Sequence, residues 1–132
     1  YLLVLNNKEF IVNKFLNFNL AFNRGVSWSL FSFSNDYMFW ALTTFIFIII
    51  ITFSTQVYSQ YKKNESILFE IFVISGALSN IIDRFLYNAV VDFVELHIGN
   101  WYWPIFNIAD VFIVLGIVGI FLKSVKNYVY KN

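Results

Sequence analysis

Two acidic motifs stand near the end of the chain, Val90-Val91-Asp92-Phe93 and Phe106-Asn107-Ile108-Ala109-Asp110, their aspartates eighteen residues apart and each at the edge of an apolar segment. A carboxylate bordering hydrocarbon loses hydration when ionised, so it is costly there unless paired or put to use. If two such groups approach closely they cannot both ionise easily, and they share a proton while their apparent pKa values separate. The pair then supplies a general base for water and a general acid for a leaving amine.

A second polar set lies in Gly76-Ala77-Leu78-Ser79-Asn80-Ile81-Ile82-Asp83-Arg84. Helical spacing aligns Gly76, Asn80 and Arg84 on one face with Asp83 beside it. Gly76 permits close approach of a helix or ligand. Asp83 and Arg84 either neutralise each other at a helix end or, because neighbours in sequence share a helix face poorly, each finds another partner. Other chemistries have little to build on. The single histidine, His97, is all that a Ser-His-Asp arrangement could use, and the absence of cysteine excludes disulfides, thiolate catalysis and cysteine-ligated metals. A carboxylate cluster could take a hard cation, but no phosphate-cradling glycine loop is present.

The elements that must position these groups belong to a membrane protein. Only 13% of residues are charged against 59% hydrophobic, and the mean hydropathy is +0.66, whereas about a quarter of a soluble domain is charged. The net charge of +1 comes without a basic stripe, which argues against a nucleic-acid partner. Three stretches reach the roughly 20 residues needed to span a bilayer: 39–57, 66–87 and 105–122. Tyr1 to Leu5 resembles the tail of an earlier helix whose beginning is absent. The expected fold is therefore an all-α polytopic membrane protein, a single domain over 1–132 with three complete transmembrane helices and the remnant of a first.

A small extracytoplasmic β element is expected over 15–33. Leu16, Phe18, Leu20 and Phe22 alternate with Asn17, Asn19, Ala21 and Asn23, the two-residue period of a strand. Its expected partner is Val26 to Phe33, across a turn at Asn23-Arg24-Gly25 where Gly25 suits positive φ. Such a hairpin could cradle an extended peptide or be purely structural. Lys62 and Lys63 between the first two spans, and Lys123, Lys126 and Lys131 after the last, place those ends in the cytoplasm. The loop 88–104 then lies outside, its Trp101, Tyr102 and Trp103 suited to the headgroup layer. Pro104 is tolerated in a first helical turn. A helix starting there puts Asp110 some 9 Å below its start, with Asn107 on the same face and Asp92 on the same side of the membrane.

Together these motifs resemble the prolipoprotein signal peptidase family, bacterial signal peptidase II, membrane aspartyl proteases. The matching pieces, in family order, are Asn23-Arg24-Gly25, Gly76 to Arg84, Val90-Val91-Asp92-Phe93 and Phe106-Asn107-Ile108-Ala109-Asp110, with Ser79 standing where the family usually has Gly. The resemblance implies that Asp92 and Asp110 are the catalytic dyad, that Asn23, Asn80, Arg84 and Asn107 line the substrate site, and that Asp83 and Gly25 support it. It implies removal of signal peptides from prolipoproteins by cleavage before a diacylglyceryl-modified cysteine, at the extracytoplasmic face of the bacterial cytoplasmic (inner) membrane. The partners implied are those prolipoproteins, membrane lipids and globomycin-type cyclic peptide inhibitors; no metal or organic cofactor is implied. The alternatives are a non-enzymatic membrane protein whose carboxylates pass protons or ions, with the acids near the bilayer midplane, and an inactive truncated homologue.

Overall fold

The structure is a computed structural model that describes residues 9–25 and 35–131. A four-stranded antiparallel sheet, β1 (Phe10–Asn13), β2 (Leu16–Asn23), β3 (Val90–Ile98) and β4 (Trp101–Tyr102), is ordered as in the chain. Three helices complete the described residues: α1 (Asp36–Lys62), α2 (Leu68–Tyr87) and α3 (Ile108–Lys131).

Local chemistry sets the turns. Asn13 closes the β1–β2 turn, its Oδ1 accepting from the backbone N–H of Phe15 at 2.8 Å and of Leu16 at 3.1 Å. Helix α1 starts at Asn35, whose Oδ1 accepts from Tyr37 N at 2.8 Å, with Asp36 in the first turn where the helix dipole favours an anion. Helix α2 ends at Asn88 in the left-handed conformation, with φ of 54°. Helices α2 and α3 run antiparallel and are tied at both ends. Asn80 meets Asp110 at the sheet end, and Lys123 meets buried Glu70 at 3.1 Å at the other. Between those ties the helices touch through glycines: a Cβ on Gly76 would sit 2.4 Å from the carbonyl oxygen of Ala109, and one on Gly116 would sit 2.6 Å from that of Phe69.

The helices come with a β element, as expected, but the sheet extends beyond residues 15–33. The segment 88–104, expected as a loop, is mostly strand, because β3 pairs with β2 from Leu16↔Leu96 to Asn23↔Val90. The alternation over 15–23 does form a strand, but its described partners are β1 and β3; the expected pairing with Val26–Phe33 lies outside the described residues. Helices α1 and α3 are long and apolar enough to cross a membrane, while α2 carries Glu70, Asp83 and Arg84 within 20 residues. Phe45, Ile48, Ile49, Ile51, Val114, Leu115 and Phe121 are exposed on the helices. In water such a surface would be costly; in a bilayer it faces hydrocarbon.

Candidate active site

Asp92 is buried on β3. Its Oδ2 accepts from Asn23 Nδ2 at 3.1 Å and its Oδ1 from Asn107 Nδ2 at 2.9 Å. The same Asn107 amide donates to Asn80 Oδ1 at 3.1 Å, and Asn80 Nδ2 donates to Asp110 Oδ1 at 2.9 Å. Two asparagines thus bridge the two carboxylates. Burial pushes the Asp92 carboxyl up to about 6, and the negative charges of Asp110 and Asp83 act in the same direction; the donors Asn23 and Asn107 oppose them.

Each side chain owes its place to a different element. The β2–β3 register sets Ala21 opposite Asp92 and Asn23 opposite Val90, after an irregularity between Phe18 and Ala21 that resets the pairing. Asp110 is held by the start of α3. Asn107 Oδ1 accepts from Asp110 N at 3.0 Å while Asp110 Oδ2 accepts from Asn107 N at 3.3 Å, a reciprocal cap. The helix therefore begins at Ile108 and not at Pro104, because the backbone of Phe106 is still paired with Val94 of β3. Asp110 consequently stands in the first turn of α3.

Asp83 and Arg84 turn to separate partners. Asp83 Oδ2 accepts from Val91 N at 3.1 Å, fastening the end of α2 to β3. Arg84 is buried; its guanidinium donates to the carbonyl of Gly25 and, at 3.4 Å, to Thr43 Oγ1. Gly25 N in turn donates to Asn23 Oδ1 at 2.8 Å. Among the described residues positive φ is found at Asn64, Asn88 and Gly99. Two contributors lie in the apolar run of α1, where nothing in sequence marks them. Phe39 is fully buried with the Arg84 and Arg24 guanidinium carbons 5.2 Å and 4.9 Å from its ring centre, and Thr43 is one turn on.

Asn23, Gly25, Asn80, Arg84, Asp92 and Asp110 line a cavity of about 220 Å³ between α1, α2, α3 and the sheet. His97 stands apart, stacked on Tyr102 with ring centres 5.2 Å apart. Among the described residues no three His, Cys, Asp or Glu side chains gather where they could hold a metal ion. The arrangement offers paired acids, amide donors and a fixed guanidinium around a space that takes water and a peptide group.

Residues 2–126 match the family model described as signal peptidase (SPase) II. The lipoprotein signal peptidase of Blochmanniella pennsylvanica is 37% identical over 112 residues, covering 83% of this chain and 67% of that protein. The lipoprotein signal peptidase of Thermodesulfovibrio yellowstonii is also 37% identical over 112 residues, covering 85% and 72%. A solved bacterial membrane enzyme superposes with a TM-score of 0.74 at 29% identity, over 99% of this chain and 81% of that one. Sequence, architecture and site agree, and the chain belongs to the signal peptidase II family, a membrane protease.

Proposed function

We propose that this protein is a lipoprotein signal peptidase of aspartic type, which hydrolyses the peptide bond preceding a diacylglyceryl-modified cysteine with Asp92 and Asp110 as its dyad. The observation that carries this reading is the hydrogen-bonded bridge Asp92–Asn107–Asn80–Asp110, of which Asp92, Asn80 and Asp110 line the cavity. Asp92, with its raised pKa, holds the shared proton. Asp110 accepts a proton from water as the water oxygen attacks the scissile carbonyl carbon, and Asp92 gives its proton to the carbonyl oxygen. When the tetrahedral intermediate collapses, the C–N bond breaks, the proton on Asp110 passes to the leaving nitrogen, and Asp92 recovers the hydroxyl proton. The products are the free carboxyl end of the signal peptide and the amine of the lipidated cysteine.

In this reading Asn80 and Asn107 fix the carboxylates, and Arg84 presents positive charge to the developing oxyanion. Asn23 and Gly25 shape the peptide side of the cavity, and Asp83 anchors β3. All three helices span the cytoplasmic membrane as one domain, with the lysine-bearing ends inside and the sheet outside. Prolipoproteins and membrane lipids are its partners, and globomycin-type cyclic peptides would compete for the same cavity. Both acids at the sheet end of the helices favour surface hydrolysis over ion passage, which needs acids reachable from both sides. The test is cleavage of a diacylglyceryl-modified precursor by Asp92→Asn and Asp110→Asn. Each is expected to lose about 10²–10⁴-fold or more in rate at normal expression; near-wild-type cleavage by either variant would sink the dyad.

A further inference from the structure

The sheet carries a second acidic cluster, one for which the peptidase chemistry has no use. Glu95 of β3 stands directly opposite Asn17 of β2 in the ladder, so both side chains project from one face of the sheet. Glu9, the residue before β1, reaches the same place. The Asn17 amide nitrogen donates to Glu9 Oε1 and, at 3.3 Å, to Glu95 Oε2. Asn19 Nδ2 donates to Glu95 Oε1 at 3.4 Å. Glu95 is 9% exposed and Asn17 only 2%, yet among the described residues neither glutamate has a basic side chain within ion-pair distance. Lys14, at the β1–β2 turn, packs instead over the Phe15 ring, 4.9 Å from its centre.

These hydrogen bonds use the amide nitrogens and leave an oxygen over. Asn17 Oδ1 is buried without a partner among the described residues, a state that few buried polar atoms tolerate. Its amide is already turned into the cluster, and the two ends of that amide exchange places by a half-turn of the last torsion. After the half-turn Oδ1 faces both carboxylates. Alone, three oxygens so placed repel one another; around a cation they are a ligand set.

We propose that Glu9, Asn17, Asn19 and Glu95 bind a calcium ion on this face of the sheet. Carboxylate and amide oxygens are the hard donors that calcium takes, and two bidentate carboxylates with two amide oxygens supply about six ligands, water completing the shell. The spacing fits as well. Two oxygens about 2.4 Å from a calcium ion and at right angles around it lie about 3.4 Å apart, and Glu95 stands 3.3 Å and 3.4 Å from the Asn17 and Asn19 amides. Magnesium, at about 2.1 Å, would need the same oxygens about 3.0 Å apart in a near-ideal octahedron. The Glu9 contact is tighter and must open, which its exposure allows. An ion there ties together β1, β2 and β3, and so fixes the strands that carry Asn23 and Asp92. The site stands or falls independently of the dyad, because its test does not read cleavage.

The experiment follows calorimetric binding and the melting midpoint of the detergent-solubilised full chain, first stripped with EDTA, as calcium chloride is raised. Magnesium chloride and sodium chloride at matched ionic strength serve as controls. One calcium per chain is expected, with Kd of about 0.1–1 mM, and a midpoint raised by about 5 °C near saturation. Glu95→Gln and Glu9→Gln should each weaken calcium binding about tenfold or more. Glu9 is exposed, so its variant keeps the fold and decides the matter even where Glu95→Gln does not fold. Asn17→Asp adds a third carboxylate; it should bind calcium more tightly than the wild type and melt lower without it. No calcium response in the wild type, an undiminished response in Glu9→Gln, or an equal rise with magnesium would overturn the proposal.

Discussion

At the scale of single residues, Asp92 makes two predictions of opposite kind. Its folded pKa, about 6, stands above the ordinary 3.8. Below 3.8 both folded and unfolded chains hold the proton, and between the two values only the folded chain does, so stability declines as pH rises through that window and is level above it. Asp92→Asn removes the penalty; above pH about 6 it is expected to melt no lower than the wild type while being inactive, as a thermal scan in detergent would read. In the proposed mechanism protonated Asp92 is the acid, so kcat/KM is expected to fall as pH rises through its pKa. Asn23→Ala takes away a donor that holds that pKa down, and the alkaline limb should move up by about one unit; a limb that stays or moves down would show that Asn23 acts elsewhere. The acids and asparagines were legible in the sequence because polar groups at hydrocarbon boundaries are costly wherever they stand. Phe39 and Thr43 were not, since an aromatic and a threonine in an apolar helix are ordinary, and only folding turns them toward Arg84.

Among the elements, the pairing of α2 with α3 depends on features at opposite extremes of size and polarity. Glu70 is 3% exposed and its charge is met by Lys123, so Lys123→Met would strand it and is expected to cost about 3 kcal/mol. Replacing both partners, as Glu70→Leu with Lys123→Met, should recover most of that loss; a double variant no better than the single one would mean that the pair does not act as a unit. Gly116→Ala would bring a methyl group to 2.6 Å from the Phe69 carbonyl oxygen and from the Val73 side chain. It should force the helices apart at about 1–3 kcal/mol, measured as a lower melting point in the same detergent. The helices were readable from hydropathy, though their ends were not. β3 was hidden for a different reason: its partner β2 lies some seventy residues earlier, and its ladder exists only once the helices bring the two together. The same pairing moves the start of α3 to Ile108, because Phe106 is claimed by the sheet.

For the whole molecule, the sheet caps one end of the helices and the lysine-bearing turns lie at the other. The chain has no cysteine, so single replacements report sidedness cleanly. Lys63→Cys should react with a membrane-impermeant maleimide only after the cells are opened, and Gly99→Cys in intact cells; the reverse pattern would invert the proposed orientation. Hydropathy foretold a membrane protein, but it could not foretell that the bridge joining the acids takes one side chain from β3, one from α2 and two from the start of α3, with Asn23 of β2 beside them. That division of labour acts as an interlock. With the proposed dyad, a chain still threading into the membrane, or one with a single element out of place, would hold its two acids apart and be unable to cut its neighbours, so the capacity to break peptide bonds would be switched on by the completion of the fold itself.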